Sequence, residues 1–449
     1  MFRSILALIF LASLAGLLTA CNPGDFLATP TPTLKLYLPP TQPPLPTAGP
    51  TEPPKATDTP APPPTLAIDT GEVKKQLAQV EADTSKMRGL KAKRAVPEHF
   101  VSKEQMAYDL TQQTLKGYSK EEAKRDAMRL WLLMFIDDPT TDFLQMEVDF
   151  SSEQVLGYYD RDTKELFVRS DEATLSPASR ETLAHEFTHS LQDQYHNLAK
   201  VMPENMENDQ AMAVKAIIEG DATVSGLMYA YQNMNKGEFR QIFQNDEAAV
   251  PPIPGRAPVY LQEAWQFPYR EGADFVFSTL SINNFSFSSI DKVFNDPPKS
   301  TEQIMHPDKY FKKPRDNPKP VKLPDLTKAL GDGWKMLETD TLGEFDLQIM
   351  LRENFMETPE ASAGWGGARY ALYQNGDQAV AVMGSVWDTP RDSSEFEDAL
   401  QQSFKIFEKH DNLWNDSRRA WGIKHSGGQI MFVSGTQRAT VQKVIDTIK

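Results

Sequence analysis

Cysteine is nearly missing from this chain. Cys21 is the only one in 449 residues, so no disulfide can form within the molecule. Basic residues are in deficit: 47 Lys and Arg face 62 Asp and Glu, a formal net charge of −15. That balance argues against nucleic-acid binding and against docking on an anionic membrane surface. No basic cluster, phosphate-binding glycine loop or internal repeat offsets it. The apolar run Ile5–Leu18 is short for a membrane span. Histidine is also scarce, with 7 in the chain, which makes a pair at helical spacing informative.

That pair is His185-Glu186-Phe187-Thr188-His189. Residues four apart share one face of a helix, so two imidazoles can meet one Zn²⁺. The intervening glutamate can then act as general base toward water activated by the metal. Ser176-Pro177 reads as an N-cap followed by proline in the first turn, and Leu183, Phe187 and Leu191 repeat on a core-facing stripe. Upstream, Val155–Tyr159 and Glu165–Arg169 flank Asp160–Lys164, which predicts a β-hairpin. A strand beside such a helix offers main-chain hydrogen bonds to an extended peptide.

An open catalytic site needs a third protein ligand. His196 is one residue out of register for the HExxHxxGxxH arrangement, which excludes that class. Glu219 is the leading candidate. It lies in the helical run Asp209–Asn233, among Ile217, Ile218, Ala222, Val224 and Leu227. A carboxylate there is costly unless it is paired or bound to metal. Asp221 is the rival ligand, and an ion pair between Glu219 and Lys215, one turn earlier, is the purely structural alternative. Asp221 or Asp193 is expected to orient a ligand histidine from behind. For the oxyanion donor, two proline-bearing segments read as loops: Phe267–Gly272, with Tyr269 and Arg270, and Ser300–Pro307, with His306.

The HExxH pair followed by Glu219-Gly220-Asp221-Ala222 resembles the gluzincin branch of the zincin metallopeptidases over residues about 150–310. The resemblance implies His185, His189 and Glu219 as zinc ligands and Glu186 as base, in a zincin-like unit that hydrolyses peptide bonds. The chain departs from the thermolysin-like form, which has asparagine where Ile218 stands, and is closer to compact gluzincins with a Glu-Gly-x-Ala signature.

The N-terminal 20 residues read as a signal segment, and Leu18-Thr19-Ala20-Cys21 resembles a bacterial lipobox. That resemblance implies a lipidated Cys21 and a mature protein anchored on the extracytoplasmic face of the cell membrane. Residues 21–66 are rich in proline and threonine, as in Ala61-Pro62-Pro63-Pro64-Thr65. Extended at about 3.1 Å per residue, such a linker reaches on the order of 100 Å.

The remainder is expected to be α+β, in three parts. Residues 67–139 form a helical region (Val73–Met87, Lys103–Leu115, Lys120–Phe135), and residues 140–324 the zincin-like unit. The stretch Ala248–Gly255 breaks helix and is expected to form a loop. Residues 325–449 form a small α+β layer. In it Tyr370–Tyr373 and Ala379–Met383 are strands joined at Asn375-Gly376-Asp377, Ser394–His410 is a helix, Gln429–Val433 a strand and Gln437–Ile448 a closing helix. Ala363–Gly367 reads as a tight turn with a packed Trp365.

The expected function is an anchored extracytoplasmic zinc metallopeptidase acting on peptide or protein substrates. The alternative is a non-catalytic envelope lipoprotein that binds a partner or cell-wall material through a structural or vestigial zinc site. A third possibility is a metal-dependent hydrolase of other bonds.

Overall fold

A computed structural model describes residues 71–152, 156–169, 174–244, 257–354, 356, 358–426 and 428–448. The signal-like segment, Cys21, the linker and the Ala248–Gly255 stretch lie outside the described residues. The chain is α+β.

The N-terminal part contains α1 (Gly71–Arg88), β1 (Glu98–Val101), α2 (Lys103–Gly117), α3 (Lys120–Leu132) and α4 (Phe143–Ser152). Strand β1 corrects the all-helical expectation for this region. It pairs in parallel with β3 (Glu165–Arg169), which also pairs antiparallel with β2 (Gly157–Asp160). The hairpin is as expected, and among the described residues β2 is an edge strand in the order β1-β3-β2. Helix α3 stops short of Phe135 because Met134 takes a left-handed φ of 66°, with the Phe135 N–H returning to the Leu130 carbonyl, a helix-ending geometry.

Three long helices follow. The first, α5 (Pro177–His196), carries the HExxH pair; Ser176 caps it by accepting from the Ser179 N–H at 3.1 Å. Leu183, Phe187 and Leu191 are buried against Val73, Leu77 and Val80 of α1 and against Leu166 and Val168 of β3. Next, α6 (Asn208–Asn233) carries Glu219, and α7 (Val259–Ile282) carries Tyr269 and runs through Pro268. The loop expected at Phe267–Gly272 is therefore helix. Proline removes one helical hydrogen bond, but Phe267, Pro268 and Gly272 are buried, and packing holds the helix together.

Glycine sets how closely α6 and α7 approach. A Cβ on Gly220 would lie 2.2 Å from the Gly272 carbonyl carbon, and one on Gly272 would lie 2.1 Å from the Ala216 oxygen. The two backbones touch where Glu219 and Tyr269 must meet.

The C-terminal part is larger in strand content than its sequence suggested. Strands β4 (Lys335–Leu342), β5 (Trp365–Asn375), β6 (Gln378–Trp387), β7 (Glu408–His410), β8 (Leu413–Asn415), β9 (Ala420–Ser426) and β10 (Gln429–Gly435) form an antiparallel sheet ordered β4-β5-β6-β10-β9-β8-β7. Helix α8 (Glu344–Glu353) follows β4, α9 (Pro390–Ser403) follows β6 and α10 (Arg438–Thr447) closes the chain. The helix expected over Ser394–His410 ends at Ser403, and Glu408–His410 is a strand. Phe404 turns into the core beside Trp414 and Trp421, and that tertiary packing overrides the helical periodicity. The tight turn at Ala363–Gly367 has Gly364 at a φ of 78° and Trp365 buried at the start of β5.

Alternation along the central strands divides two cores. Tyr370, Leu372, Ala381, Met383, Ile430 and Phe432 join Phe396 and Leu400 of α9 on one face. Ala371, Tyr373, Val380, Val382, Met431 and Val433 face Val441 and Val444 of α10 on the other. The first core also contains Leu130–Ile136, Phe143 and Trp265. Helix α3 therefore packs on the C-terminal sheet, although in sequence it belongs to the N-terminal region.

Candidate metal centre

Three side-chain atoms from two helices converge. His185 Nε2 and His189 Nε2 are 3.1 Å apart, and Glu219 Oε2 lies 3.4 Å from the first and 3.3 Å from the second. For zinc at the usual 2.0–2.1 Å, tetrahedral geometry puts ligand atoms about 3.3–3.4 Å apart. The triangle is therefore the right size for one zinc ion, and two imidazoles with a carboxylate are the right chemistry for it. Among the described residues this is the grouping of three or more His, Cys, Asp or Glu with converging ligand atoms.

The tautomer of His189 follows from its neighbours. Gln192 donates its amide N–H groups to the Ile218 carbonyl at 3.0 Å and to Asp221 Oδ2 at 2.9 Å. Its amide oxygen is thereby turned to His189 Nδ1, 2.9 Å away. Nδ1 must donate that bond, which leaves Nε2 as the ring nitrogen available to a metal. Asp221 is held in turn by Arg88 of α1, with Nε–Oδ1 at 3.0 Å and both side chains wholly buried. Arg88 also reaches Asp291 at 2.8 Å. Asp221 thus supports a ligand from behind, through Gln192, and is not a member of the cluster. Asp193 accepts from Tyr159 Oη at 3.0 Å and pairs with Lys164 at 2.9 Å; it does not reach either histidine of the pair.

The electrostatics are those of a compact charged group. Burial alone would raise the Glu219 carboxyl, but the two imidazoles hold it well below its ordinary range. Burial would lower His189, yet the adjacent Glu219 carries it up to about 9. The ion pair with Lys215 that could have explained a buried Glu219 is not formed; among the described residues Lys215 has no carboxylate within salt-bridge distance.

Glu186 lines the same cavity of about 240 Å³ as His189, Glu219, Tyr159, Arg161 and Tyr269. Its Oε2 accepts the Tyr159 N–H of edge strand β2 at 2.9 Å. Burial and the nearby Glu219 raise its carboxyl above the usual range, against the pull of both imidazoles. Tyr269 stands over the cluster, its ring 6.2 Å from that of His185 and 24° from parallel. Burial first, then the charges of Glu219 and Glu186 and a hydrogen bond to Glu219, hold its hydroxyl well above the ordinary range, so it is a donor at neutral pH.

The other sequence candidates lie elsewhere. His306 bonds Glu344 Oε1 at 3.0 Å, and Arg270 pairs with Glu263 at 2.8 Å; neither lines this cavity. Sequence reasoning gave no role to Arg88, Gln192, Arg161 or the Tyr159 amide. Gln192 carried a usable signal: it lies three residues after His189, one helical turn on the same face.

A family model described as a domain of unknown function (DUF8575) matches residues 333–445. It covers the seven-stranded sheet and excludes the cluster. No curated protein matches the chain. No helix among the described residues is long and apolar enough to cross a membrane.

Proposed function

We propose that this chain is a zinc metallopeptidase of gluzincin type, with a zincin-like unit built on α5, α6 and the β1-β3-β2 sheet. The carrying observation is the triangle of His185, His189 and Glu219, with Glu186 on one cavity wall with His189 and Glu219. We further propose that Cys21 carries a lipid and that the folded part works outside the cytoplasmic membrane; the lipobox-like residues support that part alone.

His185, His189 and Glu219 would hold zinc, which when bound supplies a Lewis acid that polarises a carbonyl and acidifies water. Glu186 then takes the proton of the attacking water and returns it to the departing amide nitrogen. The Tyr159 N–H fixes one carboxylate oxygen of Glu186 and leaves the other for proton transfer. The Tyr269 hydroxyl donates to the substrate oxygen as it gains negative charge. The edge strand β2 runs beside Glu186, and its main-chain groups other than the Tyr159 N–H could bond an extended peptide. His306 and Arg270 have no part in this scheme.

The test compares wild type with Glu186→Gln, measuring bound zinc and hydrolysis of a quenched peptide library. Equal zinc in both, with hydrolysis only in wild type, is the expected result. Full activity in Glu186→Gln, or a well-folded wild type that takes up no zinc, would remove the proposal.

A further inference from the structure

The cavity at the cluster holds two cations that the scheme above does not use. Arg161 and Lys215 both line it. Arg161 belongs to the turn that follows β2, two residues past the Tyr159 N–H that holds Glu186. Lys215 lies on α6 four residues before Glu219, one turn away on the same helix face. One cation thus stands on the hairpin wall and the other on the helix wall of the same site.

Both side chains are exposed, and among the described residues neither makes a side-chain hydrogen bond or an ion pair. The acids near them are engaged elsewhere. Asp160 Oδ1 accepts from the Asp162 and Thr163 N–H groups at 2.7 and 3.1 Å. Glu147 accepts from Trp265 Nε1 at 3.0 Å and feels Lys215 only at longer range. Within the cavity, Glu219 is held by both imidazoles and Glu186 by the Tyr159 N–H. With zinc bound, its charge balances those two carboxylates, and Arg161 and Lys215 set the net charge of the cavity. A chain with 62 acidic residues against 47 basic ones therefore turns a positive surface toward its reacting site. Clefts lined by one sign of charge concentrate ligands of the other.

Resting on the metallopeptidase reading, we propose that Arg161 and Lys215 select substrates carrying a carboxylate beside the bond that is cut. That carboxylate belongs to an acidic side chain or to the C-terminus of the peptide. Arg161 offers a planar fork of N–H donors that matches a carboxylate in two bonds, and Lys215 a point charge. A peptide lying along β2 passes Arg161 where the strand ends. A substrate ammonium at the same place meets two like charges and is rejected.

The experiment profiles cleavage sites over peptide libraries with free and with amidated C-termini, using the full chain. Wild type is compared with Arg161→Gln, Lys215→Gln and the double variant; the exposure of both residues keeps these variants folded. Wild type should favour Asp and Glu over Asn and Gln at a fixed position beside the cut, or cut only near a free C-terminus. The amidated library separates the two sources: cleavage that persists there assigns an acidic side chain, and cleavage lost there assigns the terminus. Each single variant should lower the preference about tenfold, the low end for a hydrogen bond to a charged group, because both side chains are partly solvated.

A binding readout separates this proposal from the peptidase reading. Zinc-loaded Glu186→Gln is titrated with acetyl-Ala-Glu-Ala amide, acetyl-Ala-Gln-Ala amide and acetyl-Ala-Gln-Ala free acid, with and without the two cation substitutions. Tighter binding of a carboxylate-bearing peptide, weakened by salt and lost without the cations, supports the proposal. Hydrolysis with no carboxylate preference, or with one that the double variant retains, overturns it and leaves the metallopeptidase reading standing. Carboxylate-dependent binding with no hydrolysis by wild type overturns the peptidase and keeps the anion site. Neither binding nor hydrolysis overturns both.

Discussion

Arg88 and Asp221 lie 133 residues apart in the chain and form a wholly buried ion pair at 3.0 Å, behind the cluster of His185, His189 and Glu219. Asp221 passes that restraint to Gln192 and so to His189. Removing one member of a buried pair strands the other charge and typically costs about 3–5 kcal/mol. Arg88→Met should therefore lower stability by about that much in urea denaturation, and adding Asp221→Leu should recover part of it. A loss under about 1 kcal/mol in the single variant would contradict this account of the pair.

Gln192→Met keeps the side-chain length and removes the hydrogen bond to His189 Nδ1. Partners of ligand histidines usually contribute about 10–100-fold in metal affinity. Zinc competition with a chromophoric chelator should show a loss in that range, with unchanged far-UV circular dichroism. Unaltered affinity would mean that packing alone orients His189.

Tyr269→Phe deletes one hydroxyl over the cluster. If it donates to the developing oxyanion, kcat should fall about 10²–10³-fold with zinc content and KM little changed. A large rise in KM at constant kcat would assign Tyr269 to substrate binding.

Gly220→Ala normally favours a helix by about 0.8–1.0 kcal/mol. Here the added carbon would meet backbone at 2.2 Å, where no rotamer change can relieve it. Net destabilisation of about 1–3 kcal/mol or more is expected, read by thermal unfolding. Gly272→Ala should behave alike.

Asp209 is buried at the start of α6, accepting from the Thr301 N–H at 2.8 Å and from its hydroxyl at 2.7 Å. Burial, reinforced by Asp346 and Glu302 and opposed by the Thr301 bonds, raises its carboxyl to about 7. The folded state thus holds this proton more tightly than the unfolded chain, whose value is about 3.9. The resulting stability is complete below about pH 4 and is lost as pH rises through 7. Asp209→Asn preserves an acceptor for Thr301, so it should raise Tm at pH 8 and flatten the fall in Tm between pH 5 and 8. An unchanged slope would place the titration elsewhere.

Much of this site could be read from local spacing. His185, Glu186 and His189 lie within one helical turn, and Glu219 stands out as a carboxylate in an apolar helix. Tyr269 was found in the sequence but assigned to a loop, because Pro268 breaks local hydrogen bonding that tertiary packing sustains. Arg88 acts through a partner 133 residues away, which no periodicity encodes, whereas Gln192 sits one helical turn past His189 and only its spacing could have flagged it. In the C-terminal part the strong β5-β6 hairpin and β10 were legible. Strands β7 and β8 are three residues each, too short for alternation to declare itself, and β4 carries little apolar surface to mark it.

The core shared by α3 and the C-terminal sheet bears on how the chain can be divided. Residues 333–445 recur as a family unit, yet one face of their sheet packs on Leu130–Ile136, Phe143 and Trp265. A fragment cut at residue 333 would carry that face open to water, inviting self-association. For this chain the unit of inheritance is smaller than the unit that folds, and fragments for solution work should begin ahead of α3.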